Sequence, residues 1–173
     1  MAGIAERAGV AVQTVYFVFH TKVELLSRAY DFAVAGEGAP RIPQEQPWYA
    51  LATAAPDLEV AVRHVVEGAG EITRRVTPIH LVARAAGSEG DPDIARVATL
   101  HETWRAQGYR EMLALLQAKA PLRPGLTPER ANHLLLLYIG MDVYHALVDM
   151  SGWTHPEWVD WTVQTIVSQL FAA

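Results

Sequence analysis

IAERAGVAVQTVYFVFHTKVELL, running from Ile4 to Leu26, carries two short helical patterns, a tight turn and the start of a third helix. Ile4, Ala5 and Ala8 fall at helical spacing. Gly9 stands where a helix end favours a residue free to take positive φ. The second pattern runs from Val12 to Val18, with Val12, Val15 and Phe19 on one face. Thr21-Lys22-Val23-Glu24 has the form of a capping box, in which the threonine oxygen accepts from the glutamate N–H and the glutamate side chain reaches back. Helix, glycine turn and second short helix make the helix-turn-helix plan. That plan presents one face of the second helix to a DNA major groove.

Outward from this stretch the periodicity stays helical. Lys22 to Gly36 carries the stripe Leu25, Leu26, Ala29, Phe32 and Ala33. The run Gly36-Glu37-Gly38-Ala39-Pro40 breaks it, and residues 36–47 hold three prolines and two glycines, the composition of a loop. A short helix is expected over Trp48–Ala55. Asp57 is placed to cap a helix from Leu58 to Val76, with Leu58, Val62, Val65 and Val66 inward. Thr77-Pro78 reads as the start of a separate helix that Gly87 ends, because proline suits a first turn. Asp91-Pro92 opens a long helix to Ala120, which Gly108 is expected to bend. Thr127-Pro128 opens one that runs unbroken to Met150 and is apolar around most of its circumference. Gly152-Trp153 ends that helix, and His155-Pro156 opens the last one. Period-2 alternation is absent, so the predicted fold is all-α: a helix-turn-helix head over residues 1–35 and a helical body over 36–173.

Composition narrows the function. The 173 residues are 51% apolar, enough for a substantial core, and carry a net charge of −5. That balance disfavours a chain that coats nucleic acid or a membrane surface. There is no cysteine, hence no disulfide framework or thiolate site. The longest apolar run, Leu134–Met141, is stopped by Asp142 and is too short for a bilayer. No signal peptide is visible. A cytoplasmic protein with no membrane partner is expected. Within residues 1–35, Arg7, Lys22 and Arg28 are balanced by Glu6, Glu24 and Asp31.

The segment Ile4-Ala5-Glu6-Arg7-Ala8-Gly9-Val10, with Thr14-Val15-Tyr16, Phe19, Lys22 and Leu25-Leu26, resembles the DNA-binding signature of TetR-family transcriptional regulators. Leu122-Arg123-Pro124-Gly125-Leu126-Thr127, Gly152-Trp153 and Trp161 resemble the regulatory domain of one large TetR subgroup. The resemblance implies a homodimeric regulator, a repressor by its family, that binds palindromic double-stranded DNA and is released by a small-molecule effector. It implies that Gln13 and Phe17 face base edges, and that Thr14, Tyr16, His20 and Lys22 hold phosphates. The family's helix preceding this motif has no counterpart among the three residues before Ile4, so the head is expected to lack it. The alternative is a ligand-sensing or decoy dimer that no longer binds DNA.

A helix apolar all round must be covered all round. Pairing of the last two helices with a second copy, through Leu136, Tyr144, Leu147, Trp158, Trp161, Ile166 and Leu170, would cover it as a four-helix bundle. A wholly internal core is the other reading. A pocket for an apolar or amphipathic molecule is expected between the long helices. Its expected lining is Trp104, Tyr109, Met112, Tyr138, Met141 and His145, with His64 or Arg84 adding polarity, although each suits plain core packing as well. The seven histidines show no metal-ligand spacing, so neither metal nor cofactor is expected. Asp142 and His145 read as a hydrogen-bonded pair one turn apart. No phosphate loop, GxSxG or cysteine nucleophile is present, and no enzymatic activity is expected.

Overall fold

The computed structural model describes residues 1–37, 42–88 and 91–172, and within them the protein is all-helical. Helix α1 spans Ala2–Ala8, α2 Val12–Phe19 and α3 Lys22–Ala35. Gly9, at φ 66°, turns the chain out of α1. Ala11 offers no side-chain oxygen to the first turn of α2. Thr21 Oγ1 accepts from the Glu24 amide at 3.0 Å, which is the forward half of the expected capping box. Between α2 and α3 the chain passes through a γ-turn centred on His20, the one non-glycine residue at positive φ among those described.

Of the expected loop, residues 38–41 lie outside the described residues, and so do Gly38, Ala39 and Pro40 of the predicted break. A 3₁₀ turn at Pro43–Glu45 leads into α4, Pro47–Ala54. Lys119 closes the far end of α4 by donating to Thr53 O at 3.0 Å and Ala55 O at 2.7 Å.

Helix α5, Leu58–Ser88, is the axle of the fold and packs on α3, α4, α6, α8 and α9. Asp57 caps it as expected, accepting from Val60 N at 2.9 Å. Its length corrects the prediction of two helices, because Pro78 sits inside it. A proline in a helix interior costs about 3 kcal/mol. Here the packing continues on both sides of the ring: Val76 and Ala83 are both buried against α3 and α6. Thr77, expected as a cap, instead donates to Thr73 O at 2.7 Å within the same helix.

Helix α6, Pro92–Gln117, is capped by Asp91 and runs through Gly108 without interruption. Helix α7, Pro128–Tyr138, is capped by Thr127. The predicted unbroken helix to Met150 is corrected at Gly140, whose extended backbone separates α7 from the short α8, Met141–Tyr144. A Cβ at Gly140 would lie 2.7 Å from Leu136 O, so glycine is what this tight break accommodates. A π-helical turn, His145–Met150, follows. The last helix, α9, His155–Leu170, starts one residue after Thr154, whose side chain and Glu157 form a complete capping box. Among the described residues no helix is long and apolar enough to cross a membrane.

Among the described residues two apolar cores result. The larger joins α4, α5, α6, α7 and α9 around Val62, Leu116, Leu135, Trp158, Ile166 and Leu170. The smaller, around Tyr30, Ala33, Val76, Ala83, Val97 and Met141, fixes α3 to the body.

Candidate functional site

A cavity of about 470 Å³ lies between α3, α4, α5 and α6, within the range of about 300–1,000 Å³ typical of small-molecule sites. The periodicity of two helices builds it. On α6, His101, Trp104, Arg105, Gly108, Tyr109 and Met112 return every three or four residues and so share one face. On α5, Ala69, Ile72, Thr73, Val76 and His80 do the same. Trp48 and Tyr49 of α4 and Tyr30 and Asp31 of α3 close the sides. Trp48 lies flat on α5 because residue 68 is glycine: a Cβ there would fall 2.1 Å from the indole ring.

The polar groups of the wall are mostly committed to one another. Arg105 donates from Nε and Nη2 to Glu102 Oε2 at 3.3 and 3.0 Å, and from Nη1 to Leu136 O at 3.2 Å. Its guanidinium stands 5.5 Å above the Tyr109 ring. Burial weighs against the Arg105 charge, but Tyr109 and Glu102 outweigh burial and hold the group protonated beyond its ordinary range. Burial pushes His80 and His101 below the usual histidine value, which favours neutral rings. Burial, with Glu102 adding to it, raises the Tyr30 hydroxyl to about 12. The Tyr30 and His101 rings stack at 4.3 Å.

Of the residues expected to line a pocket, Trp104, Tyr109, Met112 and Met141 do so. The others lie elsewhere. Tyr138 packs edge-on against Trp161. His145 hydrogen-bonds Asp149 at 2.8 Å, not Asp142. Arg84 is exposed and paired with Asp142. His64 sits beside Glu67 at 3.9 Å. The cause is the break at Gly140: on an unbroken helix Tyr138, Met141 and His145 would share a face, and the break puts them out of register. The sequence reading missed Tyr30, Trp48, Thr73, His80, His101 and Arg105. The stripe through Trp104, Tyr109 and Met112 already implied His101 and Arg105 at the same helical spacing.

In the head, Gln13, Thr14, Tyr16, Phe17, His20 and Lys22 are all exposed. Phe17 is 83% exposed, far beyond what an isolated helix needs. On another side, Ile4, Phe19, Leu25, Ala29 and Phe32 line an open groove.

Four of the residues expected at a partner copy, Tyr144, Trp158, Ile166 and Leu170, are covered by this chain's own core, with Trp158, Ile166 and Leu170 at 0% exposure. A fully covered side chain has no surface to give a partner, which corrects their assignment. Leu136, Leu147 and Trp161 remain half-buried. Beside Trp161 lie Tyr138 and Trp153, edge-on at 6.4 and 6.0 Å, and Leu137 is 52% exposed.

Comparison of the chain with protein-family models, with curated proteins and with solved structures finds no match.

Proposed function

We propose that the chain is a TetR-type transcriptional regulator: a homodimer that binds palindromic operator DNA through α2 and is released by a small apolar or amphipathic effector held in the body. The observation that carries the reading is that α3 belongs to both places. Its first turn follows directly on α2, and its Tyr30 and Asp31 form part of the cavity wall. An occupant that favours one position of α3 thereby biases the head, a coupling between two sites through one element. The exposure of Gln13, Thr14, Tyr16, His20 and Lys22 suits base and phosphate contacts. The half-exposed Tyr138, Trp153 and Trp161 with Leu137 supply an apolar face for a second copy, and a palindrome asks for two such α2 helices about 34 Å apart. The repressor polarity rests on the sequence resemblance.

A second reading, a ligand-sensing dimer that does not bind DNA, is favoured by the zero charge balance of residues 1–35.

Fluorescence anisotropy with the promoter fragment upstream of the chain's own coding sequence, across a salt series, separates the two. Specific binding that weakens steeply as salt rises supports the regulator, because phosphate neutralisation releases counterions. Binding no tighter than to random DNA leaves the second reading in possession.

A further inference from the structure

The polar chemistry of the cavity selects among possible occupants, on the reading above that the cavity is an effector site. We propose that it takes a neutral, hydroxyl-bearing aromatic molecule whose hydroxyl is held between Tyr30 Oη and His101 Nε2.

The first ground is what these two atoms lack. Tyr30 Oη and His101 Nε2 are buried, and neither has a hydrogen-bond partner among the described residues. Buried polar groups of native proteins are nearly always paired, and of the five such orphan atoms among the described residues these two are the ones on residues that line the cavity, where a partner can be supplied from outside. A ligand hydroxyl meets both needs at once: it accepts from the tyrosine O–H and donates to a neutral imidazole nitrogen. The two rings stack at 4.3 Å, and both atoms are shielded from solvent. Entry of the hydroxyl therefore turns the His101 ring away from Tyr30. His101 is half-buried and packs on Trp104, which is 56% exposed, so that movement displaces little of the core.

The second ground is charge. Arg105 is the cation among the described lining residues, and Glu102 and Leu136 O take three of its five N–H donors. The carboxylates of Asp31 and Glu102 also line the cavity. An anionic ligand would meet the Asp31 carboxylate and a cation already paired with Glu102, with neutral histidines beside them. The third ground is shape. Gly68 lets the Trp48 indole lie against α5, and Tyr109 faces the cavity from α6, giving flat walls that suit a planar ring system.

The test is calorimetric titration of the full chain with three probes of one shape: 2-naphthol, naphthalene and 2-naphthoate, at neutral pH. The expected result is 2-naphthol about tenfold tighter than either of the others, the worth of a pair of buried hydrogen bonds. In Tyr30→Phe and His101→Phe that preference falls to about twofold or less, while naphthalene affinity is kept. Circular dichroism melts confirm that both variants are folded, and either one alone suffices for the comparison. Equal affinity for 2-naphthol and naphthalene, a preference for the carboxylate, or an unchanged preference in both variants overturns this inference and leaves the effector reading standing. If none of the three binds, this inference is overturned, and the DNA assay alone decides the regulator reading.

Discussion

Arg75 of α5 closes the end of α3: its Nε donates to Ala33 O at 2.8 Å and its Nη2 to Val34 O at 3.4 Å. A cation on the last carbonyls of a helix satisfies orphan acceptors and complements the helix dipole. Gln46 reaches the same end, with Nε2 3.4 Å from Val34 O, while its Oε1 accepts from the Trp48 indole at 3.0 Å. The helix that links head and cavity is thus pinned from two sides. Arg75→Met keeps the stem and removes the donors. It is expected to cost about 1–3 kcal/mol in urea unfolding. Hydrogen exchange should speed up at the last turn of α3 and stay unchanged in α9. Uniform loss of protection would show a global effect and refute the local clamp.

Gly68→Ala tests the close approach of α4. The added Cβ meets the Trp48 ring at 2.1 Å, so the indole must move. Overpacking of this kind costs about 1–3 kcal/mol, more than any gain from replacing a helical glycine. Because Trp48 is a cavity wall, the same variant is expected to lose binding of the naphthalene probes. A variant as stable as the parent, with unchanged binding, would mean that the indole is free to relocate.

The elements were legible where local chemistry dictates them. Asp57, Asp91 and Thr127 cap helices as their sequence positions announce, and Gly9 and Gly152 take positive φ at helix ends. What was not legible depended on contacts distant in sequence. Pro78 reads locally as a helix start, and only the packing of α5 on α3 and α6 keeps it in a helix interior. Gly140 lies in an apolar run that reads as one helix, yet it breaks that helix and decides which side chains share a face with Met141. The same limit governs the cavity. Trp104, Tyr109 and Met112 follow from α6 alone, whereas Tyr30 and Trp48 join them only through tertiary packing. The interface assignments fared worst for Trp158, Ile166 and Leu170, because an apolar stripe does not say whether its cover is internal or external.

Acid should weaken the fold. Burial lowers the pKa of His80, His101 and His155, and the net effect stands although carboxylates oppose it: Glu102 and Asp142 at His80, Asp31 at His101, Glu71 at His155. With the native pKa below the unfolded value of about 6.5, the unfolded chain binds protons first as pH falls. Stability is therefore full above that value and declines below it. The urea midpoint is expected to drop between about pH 7 and pH 5, ahead of carboxylate titration. His101→Phe should flatten part of that slope, and an identical slope in the variant would remove His101 from the account.

Tyr30 makes the opposite, alkaline prediction. Its hydroxyl titrates near 12 in the folded chain against 10.0 for an ordinary tyrosine. As pH rises between these values the unfolded state loses its proton first, so stability drains away across that window. Tyr30→Phe abolishes this contribution. It also removes a buried hydroxyl without a partner, a group whose desolvation costs about 1–3 kcal/mol. The variant is expected to melt higher than the parent at neutral pH and to lose less stability above about pH 10. A lower melting temperature at neutral pH would show that the hydroxyl is satisfied in solution.

Leu137 offers the sharpest test of self-association, because it separates surface from core. It is 52% exposed, next to the Tyr138–Trp161 contact, while its neighbour Leu135 is fully buried. A charge at residue 137 therefore costs the isolated chain little, whereas in an apolar interface it is desolvated without a partner. Leu137→Glu is expected to shift sedimentation from dimer to monomer at micromolar concentration while leaving the helical signal intact. The monomer should also lose operator affinity, since two recognition helices no longer act on one site. If parent and variant both sediment as monomers, the apolar face around Trp161 is not a site of self-association and the palindromic-operator reading loses its geometric basis.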